Sequence, residues 1–312
     1  MAEPFRIVDL GDHRVLRSDR GEWSTHYSER IIRLLIERKG LDRAPLYFPF
    51  KKERAPRFLD PLFGYLRARR AGGLRVLEVG CSFGHMTEYL AEQPEILSIS
   101  TFDTDPSFVL ITRAKVEELH LHVVREVLQL DQAATCRLPW DDGAFDLVLA
   151  VGIVEHLPAR HRRQQVDEYY RVVARGGHVA ILDTPNRAFP VETHSIGLPF
   201  AHWLPPRLAW RATRALRPDR HRGLTFEEFD ADGTGWRNAT LAECLPSRGM
   251  AGLADVTEEA GYGWRFFRAT AHSRARRAAL PAFAAAAAVL RALGRPPSLA
   301  LPYFNLLVRK TE

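Results

Sequence analysis

Residues Leu74–Leu90 read L-R-V-L-E-V-G-C-S-F-G-H-M-T-E-Y-L. Val76, Leu77 and Val79 make the short apolar run expected of a buried strand. Gly80, Ser82 and Gly84 are small enough for a tight turn, and Met86 and Leu90 begin a helix beyond it. A strand that breaks through such a turn into a helix start presents free backbone N–H groups, which a ligand can approach closely. Glu78 is not explained by packing, because a carboxylate within an apolar strand needs a partner. The stretch therefore predicts a strand–turn–helix unit built around a ligand.

A helix over Thr87–Gln93 leads to a second strand, Ile96–Asp103. An acidic residue closing the second strand of a βαβ unit, about 20–25 residues past the glycine turn, can accept both ribose hydroxyls of an adenosine cofactor. Asp103 holds that position, and Asp105, just before Pro106, reads as a helix cap. The turn lacks the final G-x-x-G that seats a dinucleotide pyrophosphate. The same residues, Gly80-Cys81-Ser82-Phe83-Gly84, also spell G-x-S-x-G, the nucleophile elbow of α/β-hydrolases. That elbow requires strands and an oxyanion loop before it, whereas the sequence ahead of Leu74 reads as helical and charged, with no His-Gly-Gly run. Asp183 and His272 would be the partners of Ser82, though a chain of this length supplies such residues by chance.

Further on, Leu110–Val127 reads as a helix and Leu128–Leu130 as a third strand ended by Asp131. Leu138–Leu157 then reads L-P-W-D-D-G-A-F-D-L-V-L-A-V-G-I-V-E-H-L, with a strand over Phe145–Val151 entered from the D-D-G turn. A helix over Arg162–Val173 and a Gly-Gly turn lead into a fifth strand that ends in Thr184-Pro185-Asn186. These three runs resemble the motifs of class I S-adenosylmethionine-dependent methyltransferases of the small-molecule type. The first matches hydrophobic-E/D-x-G-x-G-x-G with Ser82 at the middle glycine; the second matches L-P-F-x-D-x-x-F-D-x-V … E-H-L.

The resemblance spans Leu74–Asn186 and extends over the C-terminal third by topology. It implies an α/β fold: a doubly wound, seven-stranded, Rossmann-like sheet with a helical N-terminal extension and an insertion after the fifth strand. Residues 1–56 are then an extension or lid, and 57–312 the methyltransferase domain, with 187–236 as the acceptor-recognition insertion. The cofactor implied is S-adenosylmethionine, surrounded by Glu78, Gly80, Cys81, Ser82, Gly84, Asp103, Thr104, Asp131 and Val151, with Asp131 toward the adenine amino group. Glu155 and His156 are the catalytic candidates at the end of the fourth strand. His156 has two open roles: accepting a hydroxyl proton, or capping and orienting the following helix. Relatives that bind a metal through this loop carry a further glutamate where Gly152 stands here, so no metal is expected. His194 and His202 show no helix-spaced ligand pattern.

The insertion is rich in Pro, His and aromatic residues, and His194, Trp203 and Arg207 are its substrate-binding candidates. Trp203, Arg207, Trp210, Arg211 and Arg214 fall on one side of an expected helix. Rings interleaved with arginines suit a phosphate-bearing or interfacial acceptor, and a solvated arginine face over tucked-in tryptophans is the other reading. Before the core, Ser24–Gly40 reads as an amphipathic helix. A loop over 44–56 and a helix over Arg57–Arg70 follow, ahead of Gly72-Gly73. These helices either cover the site mouth or pack on the core. After the insertion, Thr240–Leu245 reads as helix and Gly252–Glu258 as the sixth strand. Ser273–Leu293 reads as a helix containing Pro281, and Leu301–Arg309 as a terminal strand inserted antiparallel.

With 312 residues, 46% hydrophobic and 26% charged, the chain has the composition of a globular protein with a sizeable core. Its three cysteines are too few and scattered for a disulfide frame, and the opening M-A-E-P-F-R-I-V-D-L lacks a signal-peptide layout, so a cytoplasmic location is expected. No apolar run reaches the roughly 18–20 residues of a membrane span, leaving at most a weak peripheral membrane contact. The net charge of +6 is small for this length and its basic clusters are dispersed, so no nucleic-acid partner is expected. The N-P-P-Y or D-P-P-Y tetrapeptide of amino-directed nucleic-acid methyltransferases is also absent. The expected function is methyl transfer to a small-molecule acceptor, at oxygen. The insertion's T-P-N-R-x-x-P-x-E-x-H … L-P-F-x-H-x-L-P run resembles stretches of methyltransferases of bacterial cell-envelope saccharides or lipid-linked acceptors, which implies an acceptor of that kind or a secondary-metabolite intermediate. The alternatives are a catalytically inactive S-adenosylmethionine-binding protein and a nucleic-acid methyltransferase.

Overall fold

The computed structural model describes residues 4–48, 54–69, 73–220, 223–231, 234–271 and 273–312. His272, Arg70, Gly72 and positions 49–53 of the proline-containing loop lie outside the described residues. The strands are β1 (Phe5–Asp9), β2 (Arg14–Ser18), β3 (Gly21–Thr25), β4 (Leu74–Val79), β5 (Ile96–Asp103), β6 (Val124–Gln129), β7 (Phe145–Val151), β8 (Val173–Pro185), β9 (Leu253–Asp255) and β10 (Tyr303–Lys310). The α-helices are α1 (Glu29–Lys39), α2 (Ala55–Arg67), α3 (His85–Ala91), α4 (Pro106–Glu118), α5 (Arg162–Val172), α6 (Pro206–Leu216), α7 (Phe226–Asp230), α8 (Trp264–Ala269) and α9 (Arg274–Ala292). The main sheet has seven strands in the order β6-β5-β4-β7-β8-β10-β9, the Rossmann-like methyltransferase arrangement expected. Two compact units divide the chain: Met1–Phe63 with Arg70–Asp131, and Gly64–Arg69 with Gln132–Glu312.

In the first unit β4, β5 and β6 run parallel, with Glu78 opposite Thr101 and Asp103 opposite Gln129. β4 is buried at every position but Arg75, as a strand covered on both faces requires. The third strand begins at Val124 rather than Leu128, because the preceding helix ends at Glu118 and the chain turns through His120, which has a φ of 51°.

The N-terminal extension differs from the sequence expectation. It opens with an antiparallel sheet in the order β1-β2-β3, and Ser24 lies in β3 rather than in a helix. Charged residues between the apolar ones of R-I-V-D and R-V-L-R-S hide these short, half-exposed strands from a periodicity reading. Helix α1 starts later, where the Ser28 hydroxyl accepts the Ile31 N–H at 3.2 Å, and it stops at Gly40, whose φ is 78°.

The extension packs on the unit's own core. Leu16, Tyr27, Ile31, Ile32 and Leu35 share a buried cluster with Phe83, Ile111 and Ala114. A buried polar network joins the same elements. Lys115, fully buried, donates from Nζ to the Tyr27 hydroxyl at 2.7 Å and lies 2.8 Å from His85 Nδ1 and 3.4 Å from Glu88 Oε2. The Tyr27 hydroxyl donates to the same Glu88 oxygen at 2.9 Å.

In the second unit β7 and β8 are parallel, and β10 runs antiparallel to both β8 and β9, the inserted terminal strand expected. The 187–236 insertion leaves and returns through one neck, where the Arg187 N–H donates to the Ala239 carbonyl at 2.8 Å and the Ala239 N–H to that of Pro185 at 2.9 Å. It has a small core of its own, with Ile196, Ala201, Ala209, Phe229 and Trp236 buried together.

Removing one partner of a buried ion pair strands the other charge and costs about 3–5 kcal/mol. Lys115→Ala should therefore lower the urea-unfolding free energy by about that amount. A loss no larger than that of an exposed-lysine control would mean that this network does not hold the extension down.

Candidate active site

The turn after β4 owes its shape to three left-handed residues. Gly80, Ser82 and Gly84 have φ of 74°, 47° and 70°. Glycine adopts this conformation freely, and Ser82 is held in it by bonds on both sides. Its N–H donates to Asp103 Oδ2 at 2.9 Å, and its carbonyl accepts the Thr112 hydroxyl at 3.1 Å. At Gly84 close packing adds a further demand, since a Cβ would lie 3.1 Å from Thr112 Oγ1 and 3.2 Å from its methyl.

Asp103 closes β5 and braces this turn. Its Oδ1 accepts the Asp105 N–H at 3.0 Å while its Oδ2 takes that of Ser82. Burial raises its pKa above the ordinary aspartate value, against the opposing pull of these backbone hydrogen bonds. Beyond these backbone donors the two oxygens keep further lone pairs, an acceptor pair that fits two neighbouring ribose hydroxyls. Asp105 caps α4 by accepting the Ser107 N–H at 2.8 Å. Thr104 and Asp131 follow the ends of β5 and β6 and are exposed. Cys81 is buried in one cluster with Val109 and Val127.

Glu78 lies inside β4, 3% exposed, and accepts the Thr87 hydroxyl at 2.6 Å, fastening the strand to α3. Burial, partly offset by that bond, pushes its pKa up to about 7. Among the described residues, no hydrogen bond joins Ser82 to an imidazole, as the nucleophile-elbow reading would need.

In the second unit the chemistry gathers past β7. Val151 ends the strand half-buried, Gly152 turns with φ 63°, and a single 3-10 turn over Val154–His156 presents Glu155 and His156. Arg162, buried, donates to the carbonyls of Glu155 at 3.0 Å and Leu157 at 3.1 Å, fixing this turn's backbone. The Glu155 side chain is 1% exposed, and among the described residues no other residue hydrogen-bonds either of its carboxyl oxygens. Burial, reinforced by the charge of Asp183, pushes its pKa up to about 8.

Two imidazoles face it. His156 Nε2 and His194 Nδ1 each lie 3.9 Å from Glu155 Oε1, and the two Nε2 atoms are 3.1 Å apart. The main chain at Gly235 covers the pair: a Cβ there would stand 3.0 Å from both His156 Cε1 and His194 Cδ2.

The loop that delivers His194 is organised by Glu192, which the sequence reading passed over. Its carboxylate, fully buried, accepts the N–H groups of His194 at 2.7 Å, Ser195 at 2.8 Å and Gly197 at 2.9 Å, together with that of Ile196. The signal available was the P-x-E-x-H run Pro190–His194 that the insertion shares with resembled methyltransferases, which by itself says nothing about the acid folding inward.

The remaining insertion candidates do not share this cluster's contacts. Trp203 lies in a 3-10 turn before α6, half-exposed, and its indole donates to the Arg187 carbonyl at 2.6 Å. Arg207 lines a surface groove with Trp210, Arg211, Arg214 and Phe226, its guanidinium 5.1 Å from the Phe226 ring centre. His202 points its Nε2 at the carbonyls of Arg187 and Phe189, 3.1 and 2.9 Å away.

Residues 77–181 match the family model of a methyltransferase domain, a span that holds Glu78, the turn, Asp103, Glu155 and His156 but not His194. The chain is 27% identical over 173 residues to the ubiquinone biosynthesis O-methyltransferase of Cronobacter sakazakii, covering 54% of this chain and 68% of that protein. It is 27% identical over 194 residues to the demethylmenaquinone methyltransferase of Listeria monocytogenes, covering 62% and 71%. It is 33% identical over 113 residues to the phosphatidylethanolamine N-methyltransferase of Cereibacter sphaeroides, covering 36% of this chain and about half, 52%, of that relative.

The displaced titration of Glu78 sets a pH dependence. The folded chain keeps this proton up to about 7, against an ordinary value of 4.5. The folded state therefore binds more protons between those values, so this group's ionisation makes stability fall as pH rises through that window and level off above it. Glu78→Gln removes the charge and keeps an oxygen for Thr87. It should be more stable than the parent at pH 8 by on the order of 2–3 kcal/mol, the gap closing as pH falls toward 5. Urea midpoints across this range check it, and a gap independent of pH would contradict the assignment.

Proposed function

Since this chain belongs to the class I S-adenosylmethionine-dependent methyltransferases, we propose that it methylates a hydroxyl oxygen of a lipid-linked or otherwise amphiphilic small molecule. The observation that carries the hydroxyl reading is the His156–His194 imidazole pair beside the buried Glu155. A hydroxyl must give up its proton as its oxygen is alkylated, and an imidazole near neutrality takes it. Bound S-adenosylmethionine supplies the electrophilic methyl group on its sulfonium. Asp103 would hold its ribose hydroxyls, the Gly80–Gly84 turn would cradle it, and Asp131 and Thr104 would line the adenosine side. Glu192 keeps His194 in place and Arg162 keeps the Glu155–His156 turn in place, so the proton acceptor is oriented before the acceptor arrives.

Two observations support an amphiphilic acceptor. The relatives are named for ubiquinone biosynthesis, demethylmenaquinone and phosphatidylethanolamine, all of them lipophilic chemistries. The insertion also exposes Phe200, Trp203, Leu204 and Leu208 beside Arg207, Arg211 and Arg214, a mixture suited to an anionic amphiphile at an interface. No helix among the described residues is long and apolar enough to cross a membrane.

Calorimetry with S-adenosylmethionine and S-adenosylhomocysteine tests the cofactor half. Asp103→Ala should weaken both by about 1–3 kcal/mol, the scale of a lost charged hydrogen-bonding partner. Transfer of labelled methyl groups into a lipid extract tests the acceptor half. His156→Ala should lower turnover about 100-fold or more with cofactor affinity kept within about twofold. Label entering only water-soluble material, or only nitrogen, would overturn the acceptor reading.

A further inference from the structure

We propose that Glu155, His156 and His194 bind a divalent cation of the zinc or ferrous-iron class. This deepens the reading of the same cluster as the place where the acceptor hydroxyl is activated, with a bound cation acidifying that hydroxyl in place of a free His156 Nε2 as its base. It rests on that reading for the cation's use, though not for its binding. One carboxylate and two imidazoles bring one ligand atom each to within 4.8 Å of one another. Two nitrogen ligands at the usual zinc distance of about 2.0–2.1 Å lie roughly 2.9–3.4 Å apart for angles between 90° and 109°. The two Nε2 atoms stand 3.1 Å apart.

The buried carboxylate supplies an independent reason. Nearly every buried polar atom in a folded protein has a partner, and a carboxylate without one is costly. Both Glu155 oxygens lie buried with no hydrogen-bond partner among the described residues, and Oε1 faces both imidazoles. A cation at that point satisfies the carboxylate, with His156 Nε2 3.9 Å from Oε1 and His194 presenting its Nδ1, rather than its Nε2, to that oxygen at the same distance.

The third ligand also accounts for Gly152. A chain whose loop lacks a second acid can still complete a set by importing a ligand, and here His194 arrives from the insertion on a loop pinned by Glu192. Two imidazoles and one carboxylate leave coordination positions open, where an acceptor oxygen could sit. Imidazole-rich sets favour zinc-class ions over magnesium, which prefers oxygen ligands.

The test uses the full chain, stripped with a chelator and titrated with zinc chloride in a calorimeter. One tight equivalent is expected. His194→Ala and Glu155→Gln should each weaken it by at least about 100-fold, and magnesium should give no comparable heat. Cobalt(II) in place of zinc should show visible absorption bands that His194→Ala removes. Thermal melts confirm that the variants fold, His194 being part-exposed in a loop. No binding by the parent chain, or equal binding by His194→Ala, overturns the site.

S-Adenosylmethionine titrations on the same samples keep this result apart from the broader reading. Cofactor bound normally by a chain that takes no zinc defeats the cation alone, whereas zinc bound by a chain with no cofactor affinity defeats the methyltransferase reading. Stripping also separates the two roles of His156. An imidazole base works in the metal-free enzyme, so full turnover after stripping overturns the cation's use in catalysis, and turnover restored by zinc supports it.

Discussion

A single carboxylate holds the first unit's ligand loop together. Asp103 ends β5 and accepts N–H groups from Ser82 and Asp105, one from the turn after β4 and one from the turn after β5. Without it, Ser82 would have little reason to remain in a left-handed conformation, which is strained for a residue with a side chain. The Thr112 hydroxyl completes the brace from α4 by binding the Ser82 carbonyl. Parallel register makes this possible, since β4 and β5 end level with one another at the same edge of the sheet. The strands set the distance, and the carboxylate converts it into a fixed loop.

Three buried acids show how differently the fold can treat one functional group. Glu192 is surrounded by backbone N–H donors and serves as scaffolding for its loop. Glu78 has a threonine hydroxyl and a raised pKa, and ties a strand to a helix. Glu155 is as deeply buried as either and faces two imidazoles. Burial raises the energy of all three charges alike, and what differs is the compensation. The first acid is fully compensated and structural. The last has no hydrogen-bond partner among the described residues, which leaves its charge open to an external cation.

The extension and the insertion illustrate how local accessories are anchored. The N-terminal strands and α1 contribute Tyr27, Ile31 and Leu35 to a cluster that includes Phe83 of the glycine turn, and Lys115 ties Tyr27 to Glu88. The described part of the extension thus packs on the turn's own unit, against Phe83. The insertion relies on a neck of backbone hydrogen bonds and its own apolar centre, leaving a basic and aromatic face exposed. The apolar face of α1 is visible in the sequence as helical periodicity, whereas the N-terminal strands and the insertion's neck are not.

The sequence alone determined the elements whose signals are local. The strand, turn and helix at Leu74–Leu90, the strand at Phe145–Val151 and a terminal strand all follow from apolar runs bounded by turn residues, and each stands within about two residues of its expected bounds. The terminal strand's antiparallel insertion follows instead from the family resemblance. Asp103 could be placed because a strand end fixes which residue meets the turn. Tertiary structure alone decided what depends on long-range approach. His194 lies far along the chain from His156, and nothing in the pattern between them encodes a 3.1 Å contact. Glu192 reads as an ordinary surface acid until the loop closes around it, and Gly235 as an ordinary turn glycine until its backbone lies against two imidazoles. Local sequence dictates φ, ψ and which face is apolar, whereas the burial of a charge and the meeting of two side chains are set only when separate segments exclude water together.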